Sequence, residues 1–146
     1  YQPGGRKTRT FIHLLRGSAK LFEPDTMERL LPRQRSSDIS LDNVSGIDPI
    51  SSTEAIAYDF LAKGGKYSRP FITLASYDAL TGGQGTQADG EASVQAIGDS
   101  VLRAAMSVET FHKASLVHDD IEDDDQYRYG QDAIHRKFGV PIAINV

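Results

Sequence analysis

Apolar residues recur at helical intervals along most of the chain. From Thr10 to Leu31, Phe11, Leu14, Leu15, Leu21, Phe22, Met27, Leu30 and Leu31 fall three and four apart, with Gly17 and Pro24 as interruptions, which predicts one or two short helices. Residues 32–50 turn to Arg, Ser, Asp and Asn between two prolines and have little to bury, which predicts a linker or mobile loop. Ser51-Ser52-Thr53-Glu54 offers helix-starting hydroxyls, and the stripe Ile56, Ala57, Phe60, Leu61 runs to a stop at Gly64-Gly65. Pro70 suits the first turn of a further helix carrying Phe71, Leu74, Ala75 and Leu80, which breaks at Gly82-Gly83-Gln84-Gly85 in a loop to about Gly90. From Glu91 to about Asp123, Val94, Ile97, Val101, Ala104, Ala105, Val108, Phe111 and Ser115 predict one long helix with acids in its last turns. No segment alternates as a half-buried strand does, so the expected fold is all-α, helices lining a shared interior.

Composition narrows the function more than it changes the fold. A chain of 146 residues, 39% hydrophobic and 25% charged, is sized for a single domain. Sixteen basic and twenty acidic residues leave a net charge of -4, which gives no long-range attraction for nucleic acid or an anionic membrane. No apolar run approaches the roughly 20 residues of a membrane span, so membrane insertion is not expected. Without cysteine there is neither a disulfide framework nor a thiolate metal site, and a cytoplasmic location is compatible. The start at Tyr1 without Met and the apolar stop at Ala143-Ile144-Asn145-Val146 read as a piece of a longer chain.

The candidate chemistry lies in His118-Asp119-Asp120-Ile121-Glu122-Asp123-Asp124-Asp125. Asp119 and Asp123, four apart, stack on one helix face, and Asp120 at about 100° round the axis is within reach of the same volume. Carboxylates repelling at the negative end of a helix call for a cation. Hard oxygen donors without cysteine suit Mg²⁺ sharing its shell with phosphate oxygens. A solvated acidic face is the plain alternative. Zinc lacks a second paired histidine beside His118.

Basic residues accompany the acids. Lys66 and Arg69 follow Gly64-Gly65 at the start of a helix, where free amides and the helix dipole favour phosphate, though solvated turn residues would read alike. The spacing is not that of a P-loop. Arg128 follows the acids closely enough to neutralise a metal-bound diphosphate, and His112 lies two turns before Asp119 on about the same face.

With these residues in place, the chain resembles trans-type polyprenyl diphosphate synthases, in particular geranylgeranyl diphosphate synthase-like members. Gly64-Gly65-Lys66-Tyr67-Ser68-Arg69-Pro70 is similar to the family's GGKxxRP element. Ser115 to Asp123 is similar to its first aspartate-rich motif, DDxxD, and Gly130 to Asn145 to the segment that follows. The resemblance implies a helical bundle of the isoprenoid synthase type around a central cavity, a homodimer, and Mg²⁺ bound by Asp119, Asp120 and Asp123. It further implies that Lys66, Arg69 and His112 hold isopentenyl diphosphate while Arg128 stabilises the diphosphate leaving an allylic prenyl diphosphate. Ala114 and Ser115, five and four residues before the first aspartate, would help to set product length, and both are small.

Two departures qualify the resemblance. Arg128-Tyr129-Gly130 stands where the family has Arg-Arg-Gly, and the second aspartate-rich motif is absent, which implies an amino-terminal half that is inactive alone. Two further readings stay open: a class I terpene cyclase-like enzyme, which shares the ionisation step but needs no isopentenyl site, and a non-catalytic regulatory subunit of a prenyl synthase. Lys66, Arg69 and His112 weigh against the first, and the intact acids against the second.

Overall fold

A computed structural model of the chain describes residues 9–33 and 48–146. The linker expected over 32–50 therefore falls mostly outside the described residues. The described architecture is all-α: eight helices, one 3₁₀ turn and one two-residue hairpin. Two compact units make it up, one from the described residues within 1–30 and 67–108, the other from those within 31–66 and 109–146.

The first unit contains α1 (Ile12–Lys20), α2 (Pro24–Leu30), α4 (Ser68–Leu80), a 3₁₀ turn (Gln84–Thr86), α5 (Glu91–Gln95) and the first turns of α6 (Asp99–Glu122). Gly17 does not break α1. It lets α1 approach α5, because a Cβ there would lie 2.8 Å from Val94 Cγ1. Pro24 is the first residue of α2, where its missing N–H costs nothing. Leu14, Leu74 and Ala105 are fully buried, with Met27, Leu30 and Met106 nearly so. Asp78, buried at the end of α4, accepts the Gly85 N–H at 2.7 Å and ties down the glycine-rich turn.

The second unit contains α3 (Pro49–Ala62), the remainder of α6, β1 (Tyr127–Arg128), β2 (Gln131–Asp132), α7 (Ile134–Phe138) and α8 (Val140–Ala143). Helix α3 starts earlier than its serines suggest: Asp48 is the cap, accepting from Ser51 N at 3.2 Å, and Pro49 takes the first helical position. Ile56, Val117, Ile134 and Ala143 form the core, with Phe60, Ile121 and Phe138 packed on it. The antiparallel strands pair Tyr127 with Asp132 and Arg128 with Gln131 through a turn in which Tyr129 and Gly130 both have positive φ, 53° and 76°. That is the two-residue turn whose twist suits a hairpin, and Tyr occupies a place that usually favours Asn or Gly.

Two expectations for the long helix need correction. It is interrupted at residues 96–98, so α5 and α6 are separate. Ala96 and Ile97 donate back to α5, and Gly98 O accepts the first amides of α6, from Val101 and Leu102. Val94, Ile97 and Ala105 of the predicted stripe are buried, but Val108 and Phe111 are exposed, 47% and 79%. Beside Ala105, the buried face of α6 carries Met106, Glu109, Lys113, Val117 and Asp120. Lys113 and Asp120 hold core positions there because they have hydrogen-bond partners inside the protein, which hydrophobic periodicity does not register.

Candidate functional site

Helix α6 delivers the acids and then stops. Asp123 N still donates to Asp119 O at 2.8 Å, so these two residues are one turn apart. Asp124 then enters the left-handed region at φ 54°, Asp125 N donates to Asp120 O at 2.9 Å and Asp124 N to Ile121 O at 3.4 Å. This closes the helix with a Schellman turn in which Asp replaces the usual glycine. The turn sends the chain back as the β1–β2 hairpin, and Arg128 returns to α6.

The three metal-ligand candidates do not share one environment. Asp119 and Asp123 are exposed, and their carboxylates have no hydrogen-bond or ion-pair partner among the described residues. Asp120 is 1% exposed, and its Oδ1 accepts from Arg128 Nε at 2.8 Å and from Arg128 Nη2. Arg128 also reaches Asp125 at 3.5 Å. This contact, two donors on one carboxylate oxygen, holds the Arg128 pKa above its ordinary value, chiefly through the hydrogen bond to Asp120. Asp120, buried against Arg128, differs in environment from the exposed Asp119 and Asp123. Among the described residues no group of three or more His, Asp or Glu is arranged to hold a metal ion. A Mg²⁺ ion fits the oxygen-only donor set of Asp119 and Asp123, and Asp120 Oδ1 is taken by Arg128.

The basic candidates are distributed between the units. Lys66, in the second unit, is exposed on the segment after α3. Arg69, in the first unit, is exposed in the first turn of α4, one residue past Ser68 and preceded by Tyr67 at φ 49°. His112 is half-buried on α6, and its carbonyl accepts from Ser115 Oγ at 2.7 Å. Ala114 is exposed and Ser115 half-buried.

Two residues matter here in ways that motif reading missed. Lys113 is 1% exposed, and its Nζ donates to four carbonyls, those of Phe60 at 3.1 Å, Leu61 at 2.9 Å, Lys63 at 2.6 Å and Gly64 at 3.2 Å. It caps the negative end of α3 from a neighbouring helix. Desolvation lowers its pKa from 10.5 to about 8, with the buried Glu109 one turn away opposing the fall. Tyr129 packs its ring so closely on Gly64 that a Cβ there would overlap the ring, and it tilts against Phe60 with centroids 5.8 Å apart. Lys113 Nζ lies 5.2 Å from the Tyr129 ring centre. A usable signal for Lys113 was its spacing: Ala105, Glu109, Lys113 and Val117 fall four apart, placing a Glu–Lys pair within an otherwise apolar row.

Comparison with known proteins agrees with this construction. The polyprenyl synthetase family model matches residues 51–146, and the chain belongs to that family. A geranylgeranyl pyrophosphate synthase of Geoglobus acetivorans is 43% identical over 88 residues, covering 60% of this chain and 23% of that protein. A short chain isoprenyl diphosphate synthase of Methanothermobacter thermautotrophicus is 34% identical over 103 residues, covering 70% of this chain and 27% of that protein. A geranylfarnesyl diphosphate synthase of Natronomonas pharaonis is 40% identical over 86 residues, 58% and 25% respectively. The chain thus spans about a quarter of the length of the curated relatives it matches. No solved structure matches it.

Proposed function

We propose that this chain is part of a Mg²⁺-dependent prenyltransferase that condenses isopentenyl diphosphate with an allylic prenyl diphosphate to give a longer trans-prenyl diphosphate. The observation that carries this reading is the pair Asp119 and Asp123, exposed and with carboxylates unpartnered among the described residues at the end of α6, within a chain of the polyprenyl synthetase family. Asp119 and Asp123 would hold the metal, with Asp120 the third candidate ligand and Arg128 beside it to meet the substrate's diphosphate. Bound Mg²⁺ would neutralise charge on the departing diphosphate. Lys66, Arg69 and His112 bind isopentenyl diphosphate, and Ala114 and Ser115 leave room for the growing chain.

A cyclase-like reading draws on Tyr129, a neutral ring where the family carries a second arginine. One experiment separates the two. The protein bearing this sequence, incubated with Mg²⁺, labelled isopentenyl diphosphate and separate allylic primers, is expected to yield elongated prenyl diphosphates, and their length reports the product class. Asp119→Ala should lower turnover by at least about a hundredfold, the scale of losing a group that stabilises transition-state charge. Primer converted to hydrocarbon or alcohol without incorporation of isopentenyl diphosphate would replace the reading with the cyclase. No turnover at all would favour the regulatory subunit.

A further inference from the structure

Helix α3 ends on a single local bond at its cap, Lys63 N to Phe60 O at 3.3 Å. Lys63 is extended at φ -99°, ψ 132°, and Gly64 and Gly65 follow at φ 62° and 98°. Among the described residues no backbone hydrogen bond is donated by Gly64, Gly65 or Lys66. The segment that presents Lys66 is therefore not fixed by its own backbone. What meets it are two side chains from later in the chain: Lys113, bonding the carbonyls of Lys63 and Gly64 as well as two in α3, and Tyr129, whose ring covers Gly64. Glu109 completes the cluster, with Oε1 at 3.7 Å from the position a Gly65 Cβ would take.

The chemistry of this cluster is unusual for a residue that only fills space. A buried ammonium is costly unless its donors are used, and a Met or Leu of similar length would pack at the same place without that cost. The carbonyls converging on one Nζ have the complementary need, since those that end a helix have no amide of the next turn and want a donor. The cation and the carbonyl cluster satisfy each other only while Lys63 and Gly64 keep their present conformation, so the Lys113 contact selects one loop geometry from those open to two consecutive glycines.

We propose that Lys113 is a positioning residue for the isopentenyl diphosphate site: its buried ammonium, bound by the carbonyls that end α3, holds Gly64-Gly65 so that Lys66 is presented to an anion. The proposal rests on the diphosphate reading above and adds a residue that touches no substrate. It also gives Tyr129 a use, because the aromatic ring that costs the site a cation closes over the same glycine whose carbonyl Lys113 holds.

The test uses the protein bearing this sequence, comparing wild type with Lys113→Met, Lys113→Gln and Lys66→Ala. Titration calorimetry with isopentenyl diphosphate gives affinity, and hydrogen exchange gives the protection of the Leu61, Ala62 and Lys63 amides, the hydrogen-bonded end of α3 that Lys113 caps. Lys113→Met is expected to weaken isopentenyl diphosphate binding about tenfold, the scale of a misplaced binding group. It should raise exchange at those three amides by a similar factor, and in turnover raise KM for isopentenyl diphosphate with kcat and the allylic KM within about twofold. Lys113→Gln, which keeps an N–H donor, should fall between, and it carries the test if the Met variant does not fold. A folded variant with unchanged affinity and exchange overturns the proposal, as does an equal fall in kcat and both KM-dependent rates, which marks a role in stability alone. If Lys66→Ala binds isopentenyl diphosphate as wild type does, the diphosphate reading itself fails, and the exchange data still report separately whether Lys113 holds the end of α3.

Discussion

Lys113 and Asp120 show how the same helix treats two buried charges differently. Asp120 has a cation donating twice to one carboxylate oxygen, while the cationic Lys113 is met mainly by neutral carbonyls, with Glu109 too weakly coupled to cancel its desolvation. The consequence is a pH dependence whose sign follows from linkage. With the folded pKa at about 8 and the unfolded value at 10.5, the unfolded chain binds more protons between these limits, so stability rises with pH across that window. Below pH 8 the penalty of keeping the ammonium buried is present in full, and above 10.5 it has gone. The lowering from 10.5 to about 8 corresponds to roughly 3 kcal/mol. Urea unfolding of wild type and Lys113→Met at pH 7 and pH 10 should therefore show wild type gaining stability relative to the variant at the higher pH. Parallel behaviour of the two would show that Lys113 keeps an ordinary pKa in the fold.

At the scale of elements, much was legible in the sequence, and the failures share a cause. Helices α1 to α4 were visible because apolar spacing, Pro24, Pro70 and the glycine pairs all point the same way. The DDxxD and GGKxxRP segments were visible because their residue types are chemically specific. The start of α3 was misplaced because Ser51, Ser52 and Thr53 are all plausible caps, and only the structure shows Asp48 with Pro49 taking the role. Removing that cap by Asp48→Ala should cost about 1 kcal/mol, read as a lower midpoint in thermal unfolding, whereas Thr53→Ala should change little because Thr53 Oγ1 only bonds back to Pro49 and Ile50 carbonyls of its own helix. The exposed face of α6 was misread because apolar spacing counts Val108 and Phe111 as core and Glu109 and Lys113 as surface. Partnering inverts both assignments, and the partners of Lys113, about 50 residues distant in sequence, leave no local trace.

For the molecule as a whole, that inversion leaves Ala104, Val108 and Phe111 as a helical row on the exposed side of α6, with Phe111 79% and Val108 47% accessible. Leu80, at the end of α4, is 87% accessible. Single exposed apolar side chains are ordinary, but a row of them three and four apart is a continuous strip of the kind that associates in water. A net charge of -4 spread over 146 residues opposes association only weakly at physiological salt, where screening acts within about 8 Å. The chain is accordingly expected to associate as its concentration rises. Val108→Lys with Phe111→Lys should shift it towards monomer at equal concentration without loss of helical signal, since neither side chain belongs to the buried core. Sedimentation velocity at concentrations from low to high micromolar reads this directly. A wild-type chain that stays monomeric throughout would show that the strip is too narrow to drive association, and a double variant that loses helicity would show that Val108 and Phe111 stabilise α6 in spite of their exposure.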